Sequence, residues 1–125
     1  MGQYYYVVNL DKKEYLHPHR MGDGLKLMEF GSSGDGTMMG LAILLADGNG
    51  QGGGDLRSQH PIVGSWAGDR IVIAGDYAES GKFMSPDSNP DMNLHMLAGE
   101  TFREISADVR AALEDAGENL RCSIG

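Results

Sequence analysis

The chain has a single cysteine, Cys122, and no apolar run long enough to cross a bilayer. A lone cysteine excludes an internal disulfide and is typical of a reducing compartment. The longest apolar stretch covers residues 38–46 and is interrupted by Gly40, whereas a bilayer span needs roughly 20 residues. No basic leader precedes the first apolar run, so no secretory signal is predicted. We therefore expect a cytoplasmic protein that makes no membrane contact.

Basic residues are also scarce: 10 Lys and Arg stand against 18 Asp and Glu, which gives a net charge of −8. General nucleic-acid binding depends on many cationic contacts to phosphate, so a nucleic-acid polymer is not expected as a partner. The net charge does not exclude binding of a small anionic ligand, because a few arginines in one pocket are enough to hold it. The acidic surface also permits a rival interpretation, a protein inhibitor that mimics nucleic acid to block a DNA-binding partner.

Aromatic and β-branched residues predict two β-hairpins. Residues 4–9 form the first strand and pair with residues 14–16, while residues 62–66 pair with residues 70–74 across a short turn. Residues 81–93 are predicted to be a loop, because two prolines there remove backbone donors and disfavour helix.

Two short helices are predicted between the hairpins. Asp23 is the expected N-cap of the first, residues 25–30, because a short side-chain oxygen satisfies free N–H groups at a helix start. Thr37 is the expected cap of the second, residues 38–46. The nearly continuous apolar character of this second helix predicts burial on most of its sides.

The clearest helical pattern begins at Thr101 and ends before Gly117, an expected C-terminal cap. Thr101 and Glu104 have the spacing of a capping box. Apolar residues recur at helical spacing at Phe102, Ile105, Val109, Ala112, Leu113 and Ala116. The sequence therefore predicts a single α+β domain over residues 1–125, in which antiparallel hairpins pack with short helices and a C-terminal amphipathic helix.

A glycine-rich stretch, residues 48–54, raises the question of a phosphate-binding loop. Gly48, Gly50 and Gly53 match the spacing of the dinucleotide fingerprint, but that motif has to open a helix. Here Pro61 follows soon afterwards and no helical pattern begins. The Gly-Lys pair of a Walker loop is also missing. We interpret the stretch as a loop whose backbone approaches a ligand or a neighbouring subunit closely.

A calcium loop is the second interpretation of this region. Asp47, Asn49 and Gln51 occupy positions 1, 3 and 5 of an EF-hand loop over residues 47–58. Ser58 stands at position 12, where a bidentate glutamate is required. Because two ligand oxygens are lost, we do not predict tight calcium binding. The sequence does not decide whether calcium binds weakly.

No catalytic constellation is apparent. The four histidines, His17, His19, His60 and His95, have no standard zinc spacing and no accompanying cysteine pair. Ser65 lies in GSWAG, which differs from the nucleophile elbow, and Cys122 has no local sign of activation. We therefore predict a protein that is not an enzyme and has neither a cofactor nor a metal.

A set of candidate ligand-binding residues remains: Arg57, Phe83, Asn93, Arg103 and Arg110. Arginine suits phosphate because its planar fork forms two charge-assisted hydrogen bonds. Arg103 and Arg110 are seven residues apart and would share one face of the predicted helix. Phe83 offers a stacking surface and Asn93 a hydrogen-bonding edge for a base. In the alternative, the arginines pair with carboxylates on the helix and Phe83 covers core.

The overall layout resembles the first family of phage anti-Thoeris proteins, which sequester cyclic ADP-ribose-type immune signals. The resemblance lies in the hairpin YYYVVNLDKKEY, in Arg57, in Phe83 and Asn93 spaced ten apart, and in Arg110 seventeen residues further on. It implies that Phe83, Asn93 and Arg110 line a pocket for glycocyclic ADP-ribose. It also implies that Arg57 serves a separate site for cyclic di- or trinucleotides.

The resemblance further implies a homo-oligomer, commonly a hexamer built from dimers, that binds the signal between subunits in the host bacterial cytoplasm and does not cleave it. A physical argument supports the oligomer independently. A domain of this size has little room for an enclosed nucleotide cavity, so pockets between subunits are expected, and closed symmetry repeats them.

Overall fold

A computed structural model describes residues 3–31, 34, 36–47, 60–80 and 91–114 of the chain. The strands are β1 (Tyr5–Asn9), β2 (Glu14–Leu16), β3 (Ile71–Gly75) and β4 (Arg103–Glu104). The α-helices are α1 (Thr37–Leu45), α2 (Leu94–Thr101) and α3, which covers residues 106–114 of the described chain. Single turns of 3₁₀-helix lie at Pro18–Met21 and Leu27–Glu29.

The strands form one mixed sheet in the order β3-β1-β2-β4. Strand β1 is antiparallel to both of its neighbours, while β2 and β4 are parallel. Strands and helices together give the α+β fold that the sequence predicts. No helix among the described ranges is long and apolar enough to cross a membrane.

The first hairpin is confirmed, with Val8 opposite Tyr15 and Asn9 opposite Glu14. Its turn is closed by Asn9, whose Oδ1 accepts a hydrogen bond of 2.8 Å from the Lys12 N–H. The turn also places Lys13 at a φ of 55°, in the left-handed region.

Successive residues of β1 point to opposite faces of the sheet, so one strand contributes to two cores. Val7 packs in the larger core with side chains of α1 and α3, whereas Val8 packs in the smaller core under α2. The fold thus has a helical layer on each face of the sheet. The groove described below lies on the α2 face.

The predicted helix over residues 25–30 is wrong, because only the single turn Leu27–Glu29 forms there. Asp23 does not cap it. Its buried carboxylate instead accepts the N–H of Thr37 at 2.7 Å, at the start of α1. Gly36 is the N-cap of α1 and has no side chain for this bond, so a carboxylate from a distant part of the chain supplies it.

Helix α1 forms close to its predicted range but is less buried than expected. Thr37, Gly40, Ile43 and Leu44 are buried, whereas Met38, Met39 and Leu45 keep 38–49% of their surface exposed. The apolar composition of a helix therefore overestimates its burial in this chain.

The predicted strand over residues 62–66 is wrong, since consecutive turns occupy residues 61–68. These turns are hydrogen-bonded to the end of α1. The N–H of Gly64 donates to the Ile43 carbonyl and that of Trp66 to the Leu44 carbonyl, both at 2.8 Å. The segment satisfies two helix-end carbonyls and places Trp66 in the core. An apolar run indicates burial but does not by itself distinguish a strand from packed turns.

The second hairpin consequently does not form. Residues 70–74 are confirmed as strand, within one residue at each end, but β3 pairs with β1.

The long C-terminal helix is interrupted at its predicted start. Thr101 is the last residue of α2, and its hydroxyl donates to the Leu97 carbonyl at 2.8 Å, so the predicted capping box with Glu104 is wrong. The chain then forms β4, because the N–H of Arg103 donates a hydrogen bond of 3.0 Å to the Lys13 carbonyl. The predicted apolar spacing is confirmed after this point, since Ile105, Val109 and Ala112 are fully buried.

Candidate functional site

A groove with a volume of about 260 Å³ lies between α2 and the neighbouring strands β1 and β3 of the sheet. Tyr6 of β1 and Asp76 after β3 form one side. Helix α2 and its cap form the other with Asn93, His95, Met96, Gly99 and Glu100. Of these lining residues two are acidic and none is Lys or Arg.

Two aromatic rings stack beside the groove. The rings of Tyr6 and His95 are 4.0 Å apart and inclined by 10°. On the sheet, Tyr6 also contacts Tyr15 at 5.0 Å and His17 at 4.9 Å. The alternation of strand side chains places these groups on one face, so a continuous layer of rings runs from β2 to α2.

Gly99 leaves open space in the groove beside the Tyr6 ring. His95 and Gly99 are four residues apart and share one face of α2. A Cβ atom on Gly99 would lie 3.5 Å from Cε2 of Tyr6, which is ordinary contact. The absence of a side chain at Gly99 thus leaves space beside the ring without strain in the backbone.

Both histidines of this layer are held neutral by burial. Burial lowers the pKa of His95 below its usual value, and the nearby Asp76 carboxylate opposes the shift only in part. Burial likewise lowers the pKa of His17, against the opposing effect of Glu104. Nε2 of His95 and Nδ1 of His17 are buried and have no hydrogen-bond partner in the described structure. The site therefore presents neutral rings near pH 7.

The free energy of unfolding is expected to fall when the pH drops below about 6.5, the usual histidine pKa. The pKa values of His17 and His95 are lowered in the folded state. As the pH falls, the unfolded chain therefore binds protons at a higher pH than the folded chain does, and this stabilises the unfolded state relative to the folded one. The slope is at most about 1.4 kcal/mol per pH unit for each histidine. Urea unfolding between pH 7.5 and 5 measures it.

The replacement His95→Gln is the control for this prediction, because glutamine does not titrate and keeps a polar side chain. It should reduce the pH slope in that window. The effect is separable from the carboxylates Asp11 and Asp69, whose pKa values are lowered by Arg70 and by Lys12 respectively. Their contribution is lost only below about pH 4. An unchanged slope in His95→Gln would assign the effect to other groups.

Asn93, a predicted site residue, lies at the rim of the groove and is 7% exposed. Its Oδ1 accepts the N–H of Met96 at 3.0 Å and so caps α2. Its Nδ2 donates to the carbonyls of Asp76 at 2.8 Å and Ala78 at 3.2 Å. Both amide hydrogens are therefore used within the protein, and Asn93 fixes α2 against the end of β3.

The two described arginines of the predicted site lie elsewhere. Arg110 is on α3, which packs on the opposite face of the sheet from α2, and its Nη1 donates to the Arg20 carbonyl at 3.1 Å. Arg103 belongs to β4, so the prediction that it shares a helix face with Arg110 is wrong. Arg103 pairs with Asp108 at 3.0 Å and with Glu14 at 3.8 Å, as in the surface-pairing alternative.

The remaining predicted positions are outside the described residues: Arg57, Phe83, the glycine stretch 48–54 and nearly all of the calcium loop 47–58. Within the ranges that are described, no three His, Cys, Asp or Glu side chains are placed to hold a metal ion. Of the predicted ligand-binding residues that are described, only Asn93 lines the groove.

The ring layer itself was missed by sequence reasoning. The run of three tyrosines at residues 4–6 was a usable signal, because it exceeds what a small strand needs for its core. Nothing in the sequence connects Tyr6 to His95, which lies near the other end of the chain.

Comparison with family models, with curated proteins and with solved structures gives no match for this chain. The geometry of the groove and the positions of the predicted arginines thus carry the functional proposal. The groove offers stacking and hydrogen-bond acceptors, while the described arginines lie away from it.

Proposed function

We propose that the protein is a phage anti-defence protein that binds and sequesters a small cyclic nucleotide signal of the glycocyclic ADP-ribose type without cleaving it. The observation that carries the proposal is the stack of Tyr6 and His95 at 4.0 Å beside an open groove. Stacking on an aromatic side chain contributes about 1–3 kcal/mol per base. A neutral ring layer of this kind is a suitable platform for the base of a nucleotide.

The size of the groove limits what one protomer holds. Its 260 Å³ lies just below the range of about 300–1,000 Å³ that is usual for small-molecule sites. This volume accommodates a base and part of a ribose, whereas glycocyclic ADP-ribose is larger. In this proposal the rest of the ligand extends beyond the groove.

Phosphate recognition then calls for a second surface. Arg110 is exposed and makes no ion pair within the described chain, so its guanidinium is a candidate. It lies on the far side of the sheet from the groove. A heterologous interface joins two different surfaces of neighbouring subunits, so in this proposal Arg110 of one subunit faces the groove of the next. The hexamer built from dimers that the resemblance implies is one such arrangement. Nanomolar sequestration requires about 12 kcal/mol, which stacking alone does not supply.

The experiment is a capture and release assay. The purified protein is mixed with glycocyclic ADP-ribose, free ligand is removed by filtration, and the protein is heated so that the released nucleotide can be identified. We expect intact nucleotide from the wild type. Gly99→Leu should abolish capture, because the added side chain fills the groove while its Cβ makes only ordinary contact with Tyr6. Arg110→Ala should weaken it.

Gly31→Leu is the matched control, because Gly31 is exposed and a Cβ there would meet nothing within 4 Å. Circular dichroism shows whether each variant is folded. A chemically altered nucleotide would identify an enzyme. A protein that ignores nucleotides and co-purifies with a host defence protein would instead be the acidic inhibitor, which the net charge of −8 also suits.

A further inference from the structure

The charged groups that face the groove are both carboxylates, Asp76 and Glu100, beside the Tyr6 hydroxyl and the neutral His95 ring. Oδ1 of Asp76 accepts the N–H of Tyr4 at 3.0 Å, and the Tyr4 carbonyl accepts the N–H of Asp76 at the same distance, so this carboxylate is fixed at the groove. Glu100 is exposed, and its carboxylate makes no hydrogen bond or ion pair with another described residue. Both amide hydrogens of Asn93 are already used.

Ionised carboxylates accept hydrogen bonds and do not donate them. A ring that carries an amino group, such as adenine, donates from that group. A ring that carries an oxo group at the same place presents an acceptor there, which carboxylates leave unsatisfied, and keeps only its ring N–H as a donor. The two carboxylates of the groove therefore favour the amino-bearing ring.

The same carboxylates act against phosphate. Asp76 and Glu100 are the charged residues among the described lining, and no cation accompanies them. In water, two like charges 4 Å apart repel each other by an amount equal to about a fivefold loss of affinity. A phosphate group seated in this groove would meet that repulsion from each carboxylate.

We propose that the groove takes the uncharged, amino-bearing heteroaromatic ring of its ligand and excludes the phosphates. This inference rests on the nucleotide-binding function proposed above and specifies which part of the nucleotide the groove holds. The ring lies on the Tyr6–His95 stack, with its amino group toward Asp76 and Glu100. The phosphates point out of the groove, where Arg110 of another subunit would meet them in the proposed oligomer.

The test is an NMR titration of the full chain with adenosine, inosine and adenosine monophosphate, followed on the aromatic resonances of Tyr6 and His95. At low salt, adenosine should bind about three- to tenfold more tightly than inosine, which lacks the amino donor. It should also bind about fivefold more tightly than the monophosphate. At 1 M salt the Debye length is only about 3 Å, so the penalty for phosphate should nearly vanish. The preference for the amino group should persist.

Glu100→Gln separates the two effects, because glutamine keeps a carbonyl acceptor but loses the charge. We expect the penalty for phosphate to shrink about twofold in this variant, because Asp76 keeps its charge, with the preference over inosine retained. Glu114→Gln is the matched control: it removes one exposed charge from α3, on the other face of the sheet, and should change neither ratio.

Tighter binding of the monophosphate than of adenosine at low salt would overturn the inference, and so would equal affinity for inosine. Absence of all nucleoside binding up to millimolar concentration would overturn it as well. Failure of the inference differs from failure of the proposed function. Capture of glycocyclic ADP-ribose together with tighter monophosphate binding leaves sequestration intact. If adenosine, inosine and the monophosphate bind in the expected order but the cyclic signal is not captured, the sequestration function is refuted and the proposed binding site is retained.

Discussion

Replacement of Trp66 by alanine is expected to lower the free energy of unfolding by about 3–5 kcal/mol. Trp66 is fully buried and belongs to the larger core. Its removal leaves a large cavity between the end of α1 and the sheet. It also removes the bond in which Nε1 donates to Oε1 of Glu14 at 2.8 Å. A domain of this size has roughly 5–15 kcal/mol of stability in total, so the variant should be partly unfolded at 37 °C.

The measurement is urea unfolding followed by circular dichroism. Trp66 is the only tryptophan of the chain, so fluorescence reports on the wild type and not on the variant. Trp66→Phe serves as the control, because it keeps most of the ring volume and removes the hydrogen bond. It should cost about 1–2 kcal/mol. A cost below 1 kcal/mol for Trp66→Ala would contradict the packing described for the turns at residues 61–68.

Gly40→Ala should also destabilise the protein, by about 1–3 kcal/mol, although alanine is the better helix former. Gly40 lies in α1 at its contact with α3. A Cβ there would be 2.8 Å from Cγ1 of Val109 and 3.1 Å from Cε of Met21. Val109 is fully buried and stiff, so it has little room to move away. The added methyl group therefore has to separate the two helices.

A double-mutant cycle tests this explanation. Val109→Ala removes the atom that clashes, so the pair Gly40→Ala and Val109→Ala should be less destabilised than the sum of the two single variants. Gly31→Ala is the control, since a Cβ there has nothing within 4 Å and should change stability by less than about 0.5 kcal/mol. Strict additivity in the cycle would refute the proposed clash.

The elements that the sequence predicts correctly are those with a local cause. The first hairpin follows from strand-forming residues around a short turn. The face that α3 buries follows from the spacing of Ile105, Val109 and Ala112. The break before α3 has a distant cause. Backbone N–H groups at Arg103 and Ile105 bond to the carbonyls of Lys13 and Tyr15. No pattern within residues 101–117 contains that information.

The site shows the same limit. Asn93 was predicted as a site residue for its hydrogen-bonding edge, and it does lie at the groove, yet its amide is occupied in capping α2. Arg103 was assigned to a helix on local periodicity and lies instead in a strand. The Tyr6–His95 stack depends on how α2 crosses the sheet, which only the tertiary structure reveals.

The position of β1 in the middle of the sheet has a consequence for how a bound ligand is sensed. Tyr6 faces the groove, and the next residue, Val7, is fully buried in the larger core. The part of the groove wall that Tyr6 forms is therefore held by the pairing of the central strand with both of its partners. A molecule seated against Tyr6 should slow hydrogen exchange at the amides of β1 and of its paired strands together, so occupancy becomes a property of the whole sheet.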